Sequence, residues 1–154
     1  MKIAIASDHA AVAMKSELRD WLRAGGHEVA DLGPEDSNSV DYPDYGYALA
    51  RAIAVGDAEC GVALCGSGIG ISIAANRHPA IRCARVTDPL SAALAREHND
   101  ANCLALGARL VGIDMAKACV TAFLDTPFAD ADAPDGRHRR RVDALSALPQ
   151  DRPR

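Results

Sequence analysis

Residues 65 to 70, Cys-Gly-Ser-Gly-Ile-Gly, put a thiol, a hydroxyl and three glycines into six positions. The apolar run Gly61 to Leu64 precedes them, and a helix-like stretch, Ile71 to Asn76, follows. The pattern reads as a strand, a glycine-rich turn and a helix start. Successive main-chain N–H groups in such a turn form a concave donor surface, and the helix dipole adds partial positive charge. The same field favours a thiolate over a thiol. One short segment therefore offers an anion or oxyanion cradle beside a base or nucleophile. The plainer alternative is a tight turn next to a small core cysteine, and the segment alone leaves both readings open.

Standard glycine-loop templates do not fit. A dinucleotide fingerprint begun at Gly66 needs a glycine where Ile71 stands, and no Walker lysine follows. A nucleophile elbow centred on Ser67 needs glycines in place of Cys65 and Ile69. A cysteine-phosphatase loop needs an arginine, again at Ile71. Elsewhere, Asp8-His9, His98-Asn99 and Arg109 are chemically capable, yet each also reads as a helix cap, a helix end or a surface cation. Arg137 and Arg141 are spaced i and i+4 near a predicted helix start, where like charges repel and the dipole disfavours cations. A phosphate between them makes that placement favourable; in open solvent it costs little.

These groups need a scaffold, and the chain alternates strand-like and helix-like segments. Strands are predicted at Lys2 to Ala6, Glu28 to Leu32, Gly61 to Leu64, Ile81 to Val86 and Asn102 to Leu106. Helices are predicted at Ala10 to Ala24, from Pro43 to near Gly56, at Ile71 to Asn76, from Asp88-Pro89 to Glu97, at Gly112 to Leu124 and at about Gly136 to Leu148. Alternation of this kind indicates a doubly wound parallel α/β sheet with helices on both faces. Ligands then bind beyond the carboxyl ends of the strands. Ser7-Asp8-His9, Cys65 to Gly70 and Gly107-Ala108-Arg109 follow three predicted strands, which concentrates the chemistry at one edge.

With 154 residues, the chain is read as a single domain over 1–148 with a flexible tail at 149–154. No apolar run approaches the ~18 residues of a membrane span, and Asp8-His9 interrupts Met1 to Ala6 before a signal-peptide core forms. A net charge of −4 gives no general attraction to nucleic acid or to an anionic membrane. Five scattered cysteines without a C-x-x-C pair suit reduced thiols in the cytoplasm better than a disulfide framework or a structural zinc site.

Taken in order, S-D-H-A at 7–10, D-Y-P-D-Y at 41–45, C-G-S-G-I-G-I-S-I-A-A-N at 65–76, R-E-H-N-D-A-N at 96–102, L-G-A-R at 106–109 and G-R-H-R-R-R-V at 136–142 resemble the ribose-5-phosphate isomerase B family. That family includes allose- and galactose-6-phosphate isomerases. The resemblance implies a Rossmann-like three-layer α/β/α sandwich with a five-stranded parallel sheet. It also implies a homodimer, or a dimer of dimers, with active sites at the subunit interface. The implied reaction interconverts ribose 5-phosphate and ribulose 5-phosphate without metal or cofactor.

Residue by residue, the resemblance makes Cys65 the base that moves a proton between C1 and C2. Ser67 and the turn amides of Gly66, Gly68, Ile69 and Gly70 hold the enediolate oxygen. His98 opens the furanose ring, and Asp8 and Asn99 bind sugar hydroxyls. His9, Arg109, Arg137 and Arg141 bind the phosphate, some of them from the second subunit. One branch of the family uses a glutamate after the glycine turn in place of the cysteine; Ile71 stands there, which puts this chain with the thiol branch. The acidic loop before Gly136 is longer than the family pattern. A hexose-6-phosphate isomerase is the neighbouring reading, and a non-catalytic sugar-phosphate sensor is the reading from another class. The joint presence of Cys65, Ser67, His98 and the arginines argues against the sensor.

Overall fold

The computed structural model describes residues 1–129 and 136–146. The expected tail at 149–154 and the last residues of the expected final helix lie outside the described residues. Five strands form one parallel sheet: β1 (Lys2–Ser7), β2 (Glu28–Asp31), β3 (Cys60–Cys65), β4 (Cys83–Arg85) and β5 (Cys103–Gly107). Their spatial order is β2-β1-β3-β5-β4. The chain runs from β1 outward to β2, then returns past β1 to β3. The order of strand addition thus reverses between β1 and β3, where a crevice opens beyond the carboxyl ends.

Among the described residues six α-helices flank the sheet: α1 (Val12–Ala24), α2 (Tyr42–Ala54), α3 (Ile69–Ala75), α4 (Pro89–Asn99), α5 (Ile113–Asp125) and α6 (Arg137–Ser146). Large and small residues alternate along the central strands, so period-two geometry sorts them onto opposite faces. Ile3, Ile5, Val62, Leu64, Leu104 and Leu106 face one core with residues of α1, α4 and α5. Ala4, Ala6, Ala63, Cys65, Cys103 and Ala105 face the other, with residues of α2 and α3. On that second side α2 and α3 touch closely: a Cβ built on Gly46 would sit 2.7 Å from Ala74 Cβ and 3.0 Å from Ile71 O.

Predicted boundaries shift for identifiable reasons. The first helix opens as a 3₁₀ turn at His9–Ala11, capped by Asp8 Oδ1 accepting from Ala10 N–H at 2.9 Å. The fourth strand is shorter than predicted because side chains pair its flanks. Arg82 N–H donates to Asn102 Oδ1 at 2.9 Å. On the outer edge of β4, the Asn76 amide donates to Cys83 O (2.9 Å) and accepts from Cys83 N–H (2.8 Å). Asp88 caps α4 as predicted, accepting from Ser91 N–H at 2.8 Å.

One charged side chain is fully buried among these layers. Lys15 on α1 is 1% exposed and pairs with Asp31 at the end of β2, which Arg19 also reaches at 3.0 Å. All five cysteines are free thiols. Among the described residues no helix is long and apolar enough to cross a membrane.

Candidate active site

The crevice at the β1/β3 reversal is a cleft of about 380 Å³ whose lining includes Asp8, His9, Tyr42, Cys65, Ser67 and Arg109. β3 delivers Cys65 as its last residue, and the chain then turns sharply. Gly68 sits at φ 73°, a left-handed conformation, and caps α3. A side chain is excluded there twice over, since a Cβ would also lie 2.8 Å from the Leu106 carbonyl carbon. This geometry starts α3 two residues earlier than predicted.

The turn aims main-chain donors inward. Gly68 N–H donates to Cys65 Sγ at 3.0 Å, Ile69 N–H donates to Ser67 Oγ at 3.3 Å, and Sγ and Oγ lie 4.0 Å apart. The resemblance gave every turn amide to the enediolate oxygen; here the Gly68 amide serves the sulfur. The sulfur therefore has a fixed donor whether protonated or not. Gly70 lies in the first turn of α3, where N–H groups have no intrahelical acceptor.

Neighbouring loops complete the cleft. Asp8 is buried (7% exposed), and its N–H bonds Leu64 O at 3.0 Å, which ties the end of β1 to β3. His9 Nδ1 lies 3.2 Å from both the amide N and the carbonyl O of Val40, so the loop before α2 fixes the ring and leaves Nε2 for a ligand. After β5, Ala108 N–H and Arg109 N–H bond Cys65 O and Gly66 O at 2.9 and 3.0 Å. These bonds lay the Arg109 guanidinium along Gly66, where an added Cβ would be 3.3 Å from Cζ.

The structure brings Asp8, His9, Cys65, Gly66, Ser67, Gly70 and Arg109 to one cleft. It does not bring His98, Asn99, Arg137 or Arg141 there. His98 and Asn99 end α4, and Arg137 and Arg141 are exposed on α6, which packs against α4. Their corner is built firmly. Asp100, directly after His98 and Asn99, takes the left-handed conformation (φ 45°). Its carboxylate bridges Arg82 and Arg96, each at 2.9 Å.

Tyr42, quoted within the D-Y-P-D-Y motif but given no role there, also lines the cleft. It begins α2, and its ring covers Gly70 so closely that a Cβ there would be 2.6 Å from Cζ. A glycine inside a helix at an ordinary φ was the available signal, because something must occupy the missing side chain's place.

Comparisons with known proteins place the chain in a family. The family model described as Ribose/Galactose Isomerase matches residues 3–145. Ribose-5-phosphate isomerase B of Escherichia coli (strain K12) is 42% identical over 151 residues, 98% of each chain. D-erythrulose-4-phosphate isomerase of Pectobacterium atrosepticum is 42% identical over 130 residues, 83% of this chain and 85% of that one. Among solved structures, Clostridium thermocellum ribose-5-phosphate isomerase B superposes with a TM-score of 0.91 at 46% identity, covering 95% of both chains. Full-length identity, shared fold and a thiol at the sheet's switch point lead to one conclusion: the chain belongs to the ribose/galactose isomerase family.

Proposed function

We propose that this protein is a ribose-5-phosphate isomerase with Cys65 as the base. The observation that carries the reading is the Cys65–Gly70 turn, where a thiol and a hydroxyl 4.0 Å apart sit under main-chain donors in a cleft also lined by His9 and Arg109. In the aldose, Cys65 takes the proton from C2, a C1=C2 double bond forms, and O1 becomes an enediolate oxygen facing the turn. The proton is returned to C1, the O2 hydroxyl proton passes to O1, and C2=O forms. Donors fixed before the charge develops need no reorganisation; losing one in other enzymes costs about 10²–10³ in rate. His9 Nε2 and the Arg109 fork suit a phosphate dianion, which anchors the far end of the sugar.

In this reading the cleft is half a site. His98 opens the furanose ring, Asn99 binds a hydroxyl, and Arg137 and Arg141 add phosphate contacts, all supplied by a second copy of the chain. Exposed Ile69 and Ile73 on α3, beside the glycine turn, support an apolar subunit contact there.

Steady-state kinetics on ribose 5-phosphate, allose 6-phosphate and galactose 6-phosphate test the substrate; preference for a hexose overturns the pentose reading. Subunit mixing tests the shared site. Cys65→Ala and His98→Ala proteins are each inactive alone, but a hybrid dimer keeps one site with both residues intact. Random pairing then restores about a quarter of wild-type activity, and no recovery on mixing overturns the shared site.

A further inference from the structure

His138 sits on α6 between Arg137 and Arg141 and has no part in the reaction as derived so far. It is 6% exposed, while the arginines around it are exposed. Its ring lies flat against that of His98, with centroids 4.6 Å apart and planes within 3°. Arg137 Nε donates to His138 Nε2 at 3.4 Å. That nitrogen is then placed as an acceptor for the guanidinium. Glu97 Oε1 lies 3.8 Å from His98 Nε2.

Both partners of the stack are held from behind. α6 is docked by buried Val142 and by the Arg139 guanidinium lying 4.8 Å from the centre of the Phe128 ring. α4 is held at its end by Asp100 between Arg82 and Arg96. The His98 ring therefore has a floor on one face and a fixed backbone beneath it, leaving its edge nitrogens to meet a substrate.

We propose that His138 is a positioning residue for furanose opening, which rests on the reading of His98 given above. In that step the anomeric hydroxyl proton leaves O1, C1=O1 forms, the C1–O4 bond breaks and O4 takes a proton. An imidazole that gives one proton and accepts the other must hold its plane. A flat ring stacked beneath it, centroid to centroid at 4.6 Å, holds that plane. Because Arg137 touches the same ring, phosphate binding by Arg137 and alignment of His98 share one helix.

The test compares ring-closed ribose 5-phosphate with two aldoses that cannot form a furanose. In erythrose 4-phosphate O4 carries the phosphate, and 4-deoxyribose 5-phosphate has no O4. His138→Ala is expected to lower kcat on ribose 5-phosphate about tenfold or more, with KM changed little. Turnover of the faster open-chain substrate stays within about twofold of wild type. His138→Phe, which restores a flat partner, recovers most of the loss. Should His138→Ala not fold, His138→Gln keeps an acceptor for Arg137 without a ring and is read in the same way. Equal losses on closed and open sugars, no loss at all, or a wild type that turns over ribose 5-phosphate but neither open sugar overturns the proposal. A wild type inactive on ribose 5-phosphate instead sinks the functional reading beneath it.

Discussion

The two faces of the sheet are made from different stock. Under α1, α4 and α5 the strands present Ile, Val and Leu; under α2 and α3 they present Ala and Cys. Full burial of each large side chain stabilises by about 1.5–3 kcal/mol, so the first face supplies most of the hydrophobic drive. The second contributes less but brings α2 and α3 close enough to lay Tyr42 over Gly70 at the cleft. One side of the sheet is built for stability, and the other for close approach to the site. Cys65 belongs to both descriptions, since its neighbours on the small-residue face are alanines and its sulfur reaches the cleft.

That double membership can be broken apart. Cys65→Ala puts into the small-residue face the residue type it already uses, so the melting temperature should move by no more than a few degrees. Turnover should fall by about 10²–10⁴-fold, the range of a lost acid–base group. Calorimetry beside an isomerase assay decides it: a large drop in stability with activity retained would make Cys65 a packing residue.

Opposite changes on the two faces sharpen the contrast. Leu104→Ala removes bulk from the large-residue face and is expected to cost about 2–5 kcal/mol. Gly46→Ala adds one methyl on the other side and should cost about 1–3 kcal/mol, although alanine is the better helix former. Urea unfolding measures both, and a stabilised Gly46→Ala protein would show that α2 and α3 can part freely.

The smallest effect concerns the ion pair inside the large-residue side. Burial would push the Asp31 carboxyl up, but Lys15, the Gly33 amide and Arg19 outweigh it and hold the group below the usual carboxylate range. A depressed folded value means that the unfolded chain binds the proton more readily. The contribution is complete above the unfolded value of about 3.9 and drains as pH falls through the lower folded value. Asp31→Asn should therefore be less stable than wild type at neutral pH, with the gap closing below about pH 4. A gap independent of pH would mean that charge is not what Asp31 supplies.

Much of this was legible in the residues. Five strands, six helices and the edge carrying the chemistry follow from local pattern, because period and capping are local properties. The large–small alternation, Ile3-Ala4-Ile5-Ala6 and Leu104-Ala105-Leu106-Gly107, was also on display. Contacts between distant segments were less accessible. Tyr42 reaches Gly70 only once α2 and α3 have packed, and the Gly68 amide turns to the sulfur only because its φ is positive. The division of candidate residues between the cleft and the α4–α6 corner is likewise a matter of tertiary placement. His98 lies 33 positions from Cys65 in sequence, and nothing in that spacing says that the two line different surfaces.

The Asn76 amide, bonded both ways to Cys83 at the outer edge of β4, has a bearing on crowding. An open strand edge is a template on which another chain can add its own strand. Here the outward N–H and C=O of Cys83 are occupied by a side chain from within the same molecule. A stray strand arriving at this edge finds the first outward pair of β4 already bonded.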